Sequence, residues 1–297
     1  MVLHEILRFG GEEGYKLVAL KLKDLLDILD ELAPVELAEA WDNPGLQVGF
    51  LDQTITKIVL SLDPTIQAVQ YALSQEAQVL VTHHPLIFKP ISSIRDGEYP
   101  GGVVYEAIRG GLSIVAMHTN LDAAHEGINT VLAGLLGLEN IEPLYQNKVG
   151  EQGASRRSAE MSNIKTGIGR IGNLVSPISL PAFISTVKKL LGLSVVKVVS
   201  KRSVTVSRVA VVGGSGGSLI REAWQKGADL LLTGDVTYHQ AREAEFLGLA
   251  VIDGGHFATE RVAFKAFGKQ LQAQLQNRGW KVSIVFNERE SDPLVPL

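Results

Sequence analysis

Apolar and polar positions alternate with two different periods along this chain. Leu22, Leu25, Leu26, Leu29 and Leu32 recur at helical spacing and the run stops before Pro34. The spacing predicts a helix over 18–32. Short continuous apolar runs at 58–62, 77–82 and 112–117 then read as buried strands. Between and after them, 64–74, 101–109 and 127–136 read as helices, the last two closed by Gly110-Gly111 and Gly137. The second half repeats the alternation. Strands are predicted at 209–212, 230–232 and 249–252, and helices at 219–226 and 259–275. Strand–helix alternation implies an α/β fold, with mainly parallel or mixed sheets flanked by helices.

The halves also align. A shift of 151 residues lays 58–85 on 209–236 without a gap, so that Leu80 meets Leu231, Thr82 meets Thr233, Ala72 meets Ala223 and Ala77 meets Ala228. The polar stretch 151–159, with Arg156, Arg157 and Ser158, reads as the loop between halves. The expected division is a first α/β domain at 17–140 and a second at 141–290, whose C-terminal helix is free to pack back on the first. Residues 1–16 read as a short extension.

Composition narrows the class. The chain has 297 residues and 45% hydrophobic content, enough for two ordinary cores. A net charge of −4 leaves no basic surplus for phosphate backbones, so a nucleic-acid binder is not expected. With no cysteine, disulfides, thiolate-bound zinc and a cysteine nucleophile are excluded. No apolar run reaches the length of a membrane span, and the N-terminus lacks a signal-peptide core. A cytoplasmic protein is the expectation.

Candidate chemistry gathers at predicted strand ends. His83 and His84 follow an apolar run in Leu80-Val81-Thr82-His83-His84-Pro85. Neighbouring side chains on a strand point to opposite faces, so two adjacent histidines converge only where the strand ends, and Pro85 marks a turn there. Met117-His118-Thr119-Asn120-Leu121-Asp122 follows a second strand, and Gly254-Gly255-His256-Phe257-Ala258-Thr259-Glu260 a third. With His256 in the first turn of a helix, Glu260 lies four residues on and shares its face. His83, His84, Asp122, His256 and Glu260 offer more nitrogen and oxygen donors than one catalytic zinc takes. They suit two divalent ions with Glu260 or Asp122 as the bridge. Zn, Fe, Mn, Ni and Co all accept imidazole and carboxylate. Taken alone, Asp122 is equally a helix cap and Glu260 a solvated first-turn carboxylate. His4 and His125 read as surface or internally satisfied residues.

Three weaker motifs remain. Gly213-Gly214-Ser215-Gly216-Gly217 between strand and helix reads as a phosphate cradle or as a tight turn. In Thr233-Gly234-Asp235-Val236-Thr237-Tyr238-His239, at the repeat-equivalent corner, His239 and Tyr238 either line the site or cap a helix. In Trp41-Asp42-Asn43-Pro44-Gly45-Leu46-Gln47-Val48-Gly49, Trp41 reads as core or interface, and Asn43 as a residue that reaches the site.

Together these stretches resemble the NIF-three-like family, whose bacterial members are often labelled GTP cyclohydrolase 1 type 2 homologue. The resemblance implies two similar, interlocked α/β domains with a dinuclear metal site in the cleft between them. It implies a ring-shaped homohexamer, a trimer of dimers. It puts the metal ligands at His83, His84, Asp122, His256 and Glu260, with the glutamate touching both ions, and His118 beside them. The link 139–207 is too short for the extra domain some members carry. The function expected is a metal-dependent hydrolase acting on a small molecule of nucleotide or phosphoester type, with His118 or His239 moving protons. The alternative is a non-enzymatic metal-binding scaffold or partner-binding protein.

Overall fold

The computed structural model describes residues 19–146, 166–200 and 204–295. The readings of 1–16 as an extension and of 151–159 as a crossing loop lie outside them. The first helix, α1 (Leu22–Leu32), starts at the first of its spaced leucines rather than at the expected 18. Lys21 forms a β-bridge to Thr54, and its backbone N–H is taken by the Asp24 carboxylate. A strand β1 (Gly45–Val48) comes from the turn-rich segment after Trp41.

Then follow β2 (Lys57–Ser61), α2 (Ile66–Ser74), β3 (Val79–Thr82), α3 (Gly101–Arg109), β4 (Ser113–Ala116), a short α4 (Thr119–Ala123) and α5 (Ile128–Leu135). The Thr65 hydroxyl caps α2 by accepting from the Ala68 N–H. Next are β5 (Leu138–Tyr145), β6 (Ile168–Ser179), α6 (Leu180–Leu191), β7 (Lys197–Val199), β8 (Thr205–Ser215) and α7 (Ile220–Gln225). The chain closes with β9 (Leu230–Gly234), α8 (Tyr238–Leu247), β10 (Ala250–Asp253), α9 (His256–Asn277) and β11 (Ser283–Phe286).

These strands form two sheets. The first has the order β1-β4-β3-β2-β11 and the second β5-β6-β8-β9-β10-β7. The first has four parallel strands, β4-β3-β2-β11, with β1 antiparallel at one edge; the second has three, β8-β9-β10, with antiparallel pairing beyond them on both sides. The 151-residue repeat holds to the register. Ile58 pairs with Val79 across β2–β3, and Val209 with Leu230 across β8–β9. The Gln78 side chain accepts from the backbone N–H groups of Thr56 and Lys57, and Asp229 accepts from those of Ser207 and Arg208. The sequence shift therefore reflects the same strand–helix–strand unit built twice.

Alternation along the strands sorts their side chains into layers. Ile58, Leu60, Val79 and Val81 of the first sheet share a buried cluster with Val209, Val211, Leu230 and Leu232 of the second. Phe264, Phe267 and Leu271 of α9 pack into that same middle layer. The opposite faces hold separate cores, Val59 and Leu80 under α2 and α3, and Ala210 and Leu231 under α7 and α8. β11, which falls within 141–290, pairs in parallel with β2 of the first sheet. The chain thus returns to its first half after α9.

Candidate metal centre

The middle layer brings the carboxyl ends of β3, β4, β9 and β10 near one another. At the first corner, His83 and His84 follow the last residue of β3. The Thr82 hydroxyl donates to the His84 carbonyl at 2.8 Å, and the His84 N–H donates to Leu62 O at 2.9 Å. This turn breaks the strand alternation. The two rings point to a common volume, with centroids 5.1 Å apart. The adjacent pair converges for the reason its sequence context gives. At the second corner, β4 leads through Met117 and His118 into α4, which carries Asp122. At the third, β10 leads through Gly254 and Gly255 into α9. His256 is the first residue of that helix, so Glu260 sits one turn on and on the same side.

Glu260 is the hub. One oxygen, Oε1, lies 3.1 Å from His256 Nε2 and 3.5 Å from His83 Nε2, while Oε2 lies 3.3 Å from His84 Nε2. His83 Nε2 is 3.8 Å from Asp122 Oδ1, and the Nε2 atoms of His84 and His256 are 3.3 Å apart. His118 adds its ring edge-on to His83 and His84 at 5.3 and 5.5 Å. Five of the sequence candidates thus stand within one volume, and His118 stands beside them. His239 does not join them. It lies exposed in the first turn of α8, which Thr237 caps, with its ring edge-on to Tyr238. The Asn43 amide donates to Ile87 O at 2.6 Å.

Every imidazole in the cluster is held by its outer nitrogen. His83 Nδ1 meets Met117 O at 2.8 Å, His84 Nδ1 meets Asp63 Oδ1 at 2.8 Å, His118 Nδ1 meets Asp42 Oδ1 at 2.8 Å, and His256 Nδ1 meets Asp235 Oδ2 at 2.7 Å. Carbonyls and carboxylates only accept, so each Nδ1 carries the proton and donates. Each Nε2 is then left as the donor atom facing the cluster. The Asp42, Asp63 and Asp235 roles are absent from the sequence reading. Asp235 at the repeat-equivalent corner was the one legible signal, since the repeat places it opposite His84 itself.

Electrostatics follow from this packing. Burial works against charge on Glu260, but His83, His256 and His84 outweigh it and hold the carboxyl well below the ordinary glutamate range. Burial pushes Asp122 up. Burial also opposes charge on His84, yet Asp63 and Glu260 raise it to about 10. Glu260 and Asp235 raise His256 to about 9 against its partial burial. Asp42, despite burial, is lowered to about 2 by His118 and Thr119.

Metal ions fit these residues. His83 Nε2, Asp122 Oδ1 and Glu260 Oε2 are buried without a hydrogen-bond partner, a costly state that a bound cation relieves. Two triplets have donor atoms within 4.8 Å of one another, His83-His84-His118 and His84-His256-Glu260.

Two further features shape the site. The glycine-rich loop packs against it rather than opening as a cradle. The N–H groups of Gly213, Gly214 and Gly216 are donated to Asn129 Oδ1, Thr259 Oγ1 and Thr233 Oγ1. They have no capacity left for a phosphate. Gly214, at φ +66°, lies so close to the hub that a Cβ there would sit 2.1 Å from Glu260 Oε1. Arg170 is the other feature. Its buried guanidinium donates to Gly167 O at 2.6 Å, Gly169 O at 2.8 Å and Ala124 O, and ties the turn after Asp122 to β6. Burial lowers it to about 10.

The fold and the cluster define an α/β protein with a histidine–carboxylate centre suited to metal. Sequence comparison makes this specific. The model of the Duf34/NIF3 (NGG1p interacting factor 3) family matches residues 20–293, and the chain belongs to that family. It is 30% identical over 276 residues to a protein of Clostridium acetobutylicum called GTP cyclohydrolase 1 type 2 homolog, covering 93% of this chain and 98% of that one. A protein of the same name from Methanocaldococcus jannaschii is 34% identical over 263 residues, 86% and 96% of the two chains. Among solved structures, a hypothetical protein of Staphylococcus aureus superposes with a TM-score of 0.85 at 28% identity, over 94% of this chain and 100% of that one. The reduced HcgD protein from Methanocaldococcus jannaschii gives 0.74 at 30% identity, over 91% and 99%. Among the described residues no helix is long and apolar enough to cross a membrane.

Proposed function

We propose that this chain is a dinuclear metal-binding protein that acts as a metal-dependent hydrolase on a small molecule of nucleotide or phosphoester type. The observation that carries the reading is the set of buried, unpartnered donors on His83, Asp122 and Glu260, facing imidazoles already locked in the ligating tautomer. His83, His84, Asp122, His256 and Glu260 would hold the ions, in the cleft where the ends of the two sheets face one another. Divalent ions of the Zn, Fe, Mn, Ni or Co type supply Lewis acidity toward water and toward an electrophilic substrate.

The chain's own groups do the rest. Asp42, kept anionic, fixes His118 through Nδ1 and leaves Nε2 turned to the cluster, where it takes or delivers a proton. The proton-moving role falls to His118 rather than His239. Phe264, buried and 5.8 Å from the His83 ring, lines the inner side of the cluster with apolar surface. Glu260 orients three imidazoles at once.

The same proposal includes a cytoplasmic toroidal homohexamer. Exposed Trp224, Tyr238 and Phe246 on the outer helices offer apolar surface for such an assembly. A scaffold without turnover would use the same surface, and it is the reading to adopt if tight metal binding comes with no reaction.

The test is turnover of a panel of nucleotides and phosphoesters by protein loaded with manganese, iron or zinc. His118→Gln is expected to lower kcat by about 100-fold at unchanged ion content. If wild-type protein and His84→Ala turn over the panel equally, or not at all, the hydrolase reading fails.

A further inference from the structure

An aromatic wall leads from the cluster to the surface. The His118 ring touches His83 and His84 on its inner side. On its outer side Trp41 lies edge-on at 5.9 Å, and Trp41 in turn meets Phe88 edge-on at 5.7 Å. Both outer rings stand in solvent, Trp41 57% exposed and Phe88 46% exposed. An indole and a phenyl ring left open beside a buried polar cluster forgo burial that the fold supplies elsewhere.

The residues next to both rings are held in place. Asp42, the residue after Trp41, is bonded to the His118 ring and to both the N–H and the hydroxyl of Thr119. Ile87, the residue before Phe88, is held from both sides, its carbonyl by Asn43 at 2.6 Å and its N–H by Gln47 at 3.1 Å. Each aromatic residue is therefore anchored at its neighbour, and the platform is organised before anything binds.

The polar side of the site argues in the same direction. Three of the loop N–H groups, those of Gly213, Gly214 and Gly216, are already committed to Asn129, Thr259 and Thr233. The groups flanking the histidines are the carboxylates Asp42, Asp63 and Asp235. Among the described residues the site presents no built anion pocket, and it does present two exposed aromatic rings set edge-on at 60°, each with a face open to stack on.

We propose that Trp41 and Phe88 form a stacking platform for a planar heteroaromatic ring, whose edge reaches the donor cluster past His118. The proposal rests on the hydrolase reading above and narrows its substrate class. The ring, rather than a phosphate, is what the protein recognises. Aromatic platforms bind rings through their faces with little regard to substituents, whereas a committed backbone offers a phosphate nothing.

The experiment uses the full chain with its metals. Guanosine, adenosine, uridine and pterin are titrated by calorimetry, which reads binding whether or not the indole is present, with ribose 5-phosphate and inorganic phosphate as ring-free probes. Wild type, Trp41→Leu and Trp41→Phe are compared, and ion content and assembly mass are measured on the same samples. At least one ring compound is expected to bind wild type. Trp41→Leu should weaken it by about tenfold or more, and Trp41→Phe by much less. The ring-free probes should bind the wild type and Trp41→Leu alike. Absence of ring binding, or equal binding to Trp41→Leu, overturns the platform. Loss of assembly mass in Trp41→Leu also overturns it, because a second copy would then cover the indole. Ion content near zero in wild type would instead defeat the metal reading, so the two failures are told apart.

Discussion

Gly214→Ala tests the hub most sharply, because the glycine is both conformationally required and in contact with Glu260. At φ +66° the backbone is left-handed, which costs a non-glycine residue about 1–2 kcal/mol. The new methyl would lie 2.1 Å from Glu260 Oε1, and 3.4 Å is ordinary contact, so the carboxylate must retreat by about 1.3 Å. That movement opens its 3.1 Å approach to His256 and its 3.5 Å approach to His83. Losing one charge-assisted hydrogen bond at a buried carboxylate costs about 2 kcal/mol. The sum is a destabilisation of about 3–4 kcal/mol in metal-free protein. Gly192→Ala is the control. That residue is also left-handed, at φ +69°, but a Cβ there meets nothing within 4 Å. It should cost only the backbone share, about 1–2 kcal/mol, and leave metal binding intact. Urea denaturation gives the stabilities, and metal titration should show affinity reduced by at least about tenfold in Gly214→Ala. If Gly214→Ala costs no more than Gly192→Ala, or binds metal as wild type does, Glu260 is not the hub described above.

Two other outcomes are expected. Glu290 accepts from the N–H groups of Leu62 at 2.8 Å and Asp63 at 2.7 Å, and so fixes the corner from which Asp63 grips His84. Glu290→Ala should therefore lower metal affinity by about 10-fold although the residue touches no proposed ligand, and Glu290→Gln, which keeps one acceptor, should lower it less; calorimetric metal titration reads both. The pH dependence should reverse sign on metal loading. Raised histidines at about 10 and about 9 stabilise the metal-free fold below their unfolded value near 6.5, and that contribution is lost as pH rises through the folded values. Metal affinity instead should climb over the same range, because ions compete with those protons. Thermal melts at pH 6, 8 and 10, with and without metal, decide; a metal-free melting temperature that rises from pH 6 to 10 would contradict the assignment.

The donor cluster was legible because each of its members lies at the end of an apolar run, where the chain has to turn. His83-His84 before a proline, and His256 four residues before Glu260, are local patterns whose geometry follows from strand and helix periods. The repeat was legible for the same reason, and its register survives in the Ile58–Val79 and Val209–Leu230 pairs. The supporting carboxylates were not, apart from the repeat's pointer to Asp235. Asp42 reaches His118 across 76 residues, and Asp63 and Asp235 each reach across 21. A single aspartate in a turn carries no sign of a distant partner, since turns favour aspartate anyway. The return of β11 to the first sheet was hidden likewise, because its pairing with β2 spans more than two hundred residues. The helix α8 escaped because Tyr238–Leu247 has one fully buried side chain, Ala244, and so no apolar stripe. Of the two readings of the glycine-rich loop, the tight turn is the one the structure holds. Its glycines answer a close approach of backbone to Glu260, and its N–H groups are used inside the protein.

The most direct measurement is elemental analysis of protein purified without added metal, expressed as ions per chain and repeated for Glu260→Gln. The arrangement of His83, His84, Asp122, His256 and Glu260 predicts two divalent ions per chain in the wild type and a loss of at least one in the variant. A wild-type protein that carries none, and takes up none from micromolar manganese, iron or zinc, would contradict the metal centre outright.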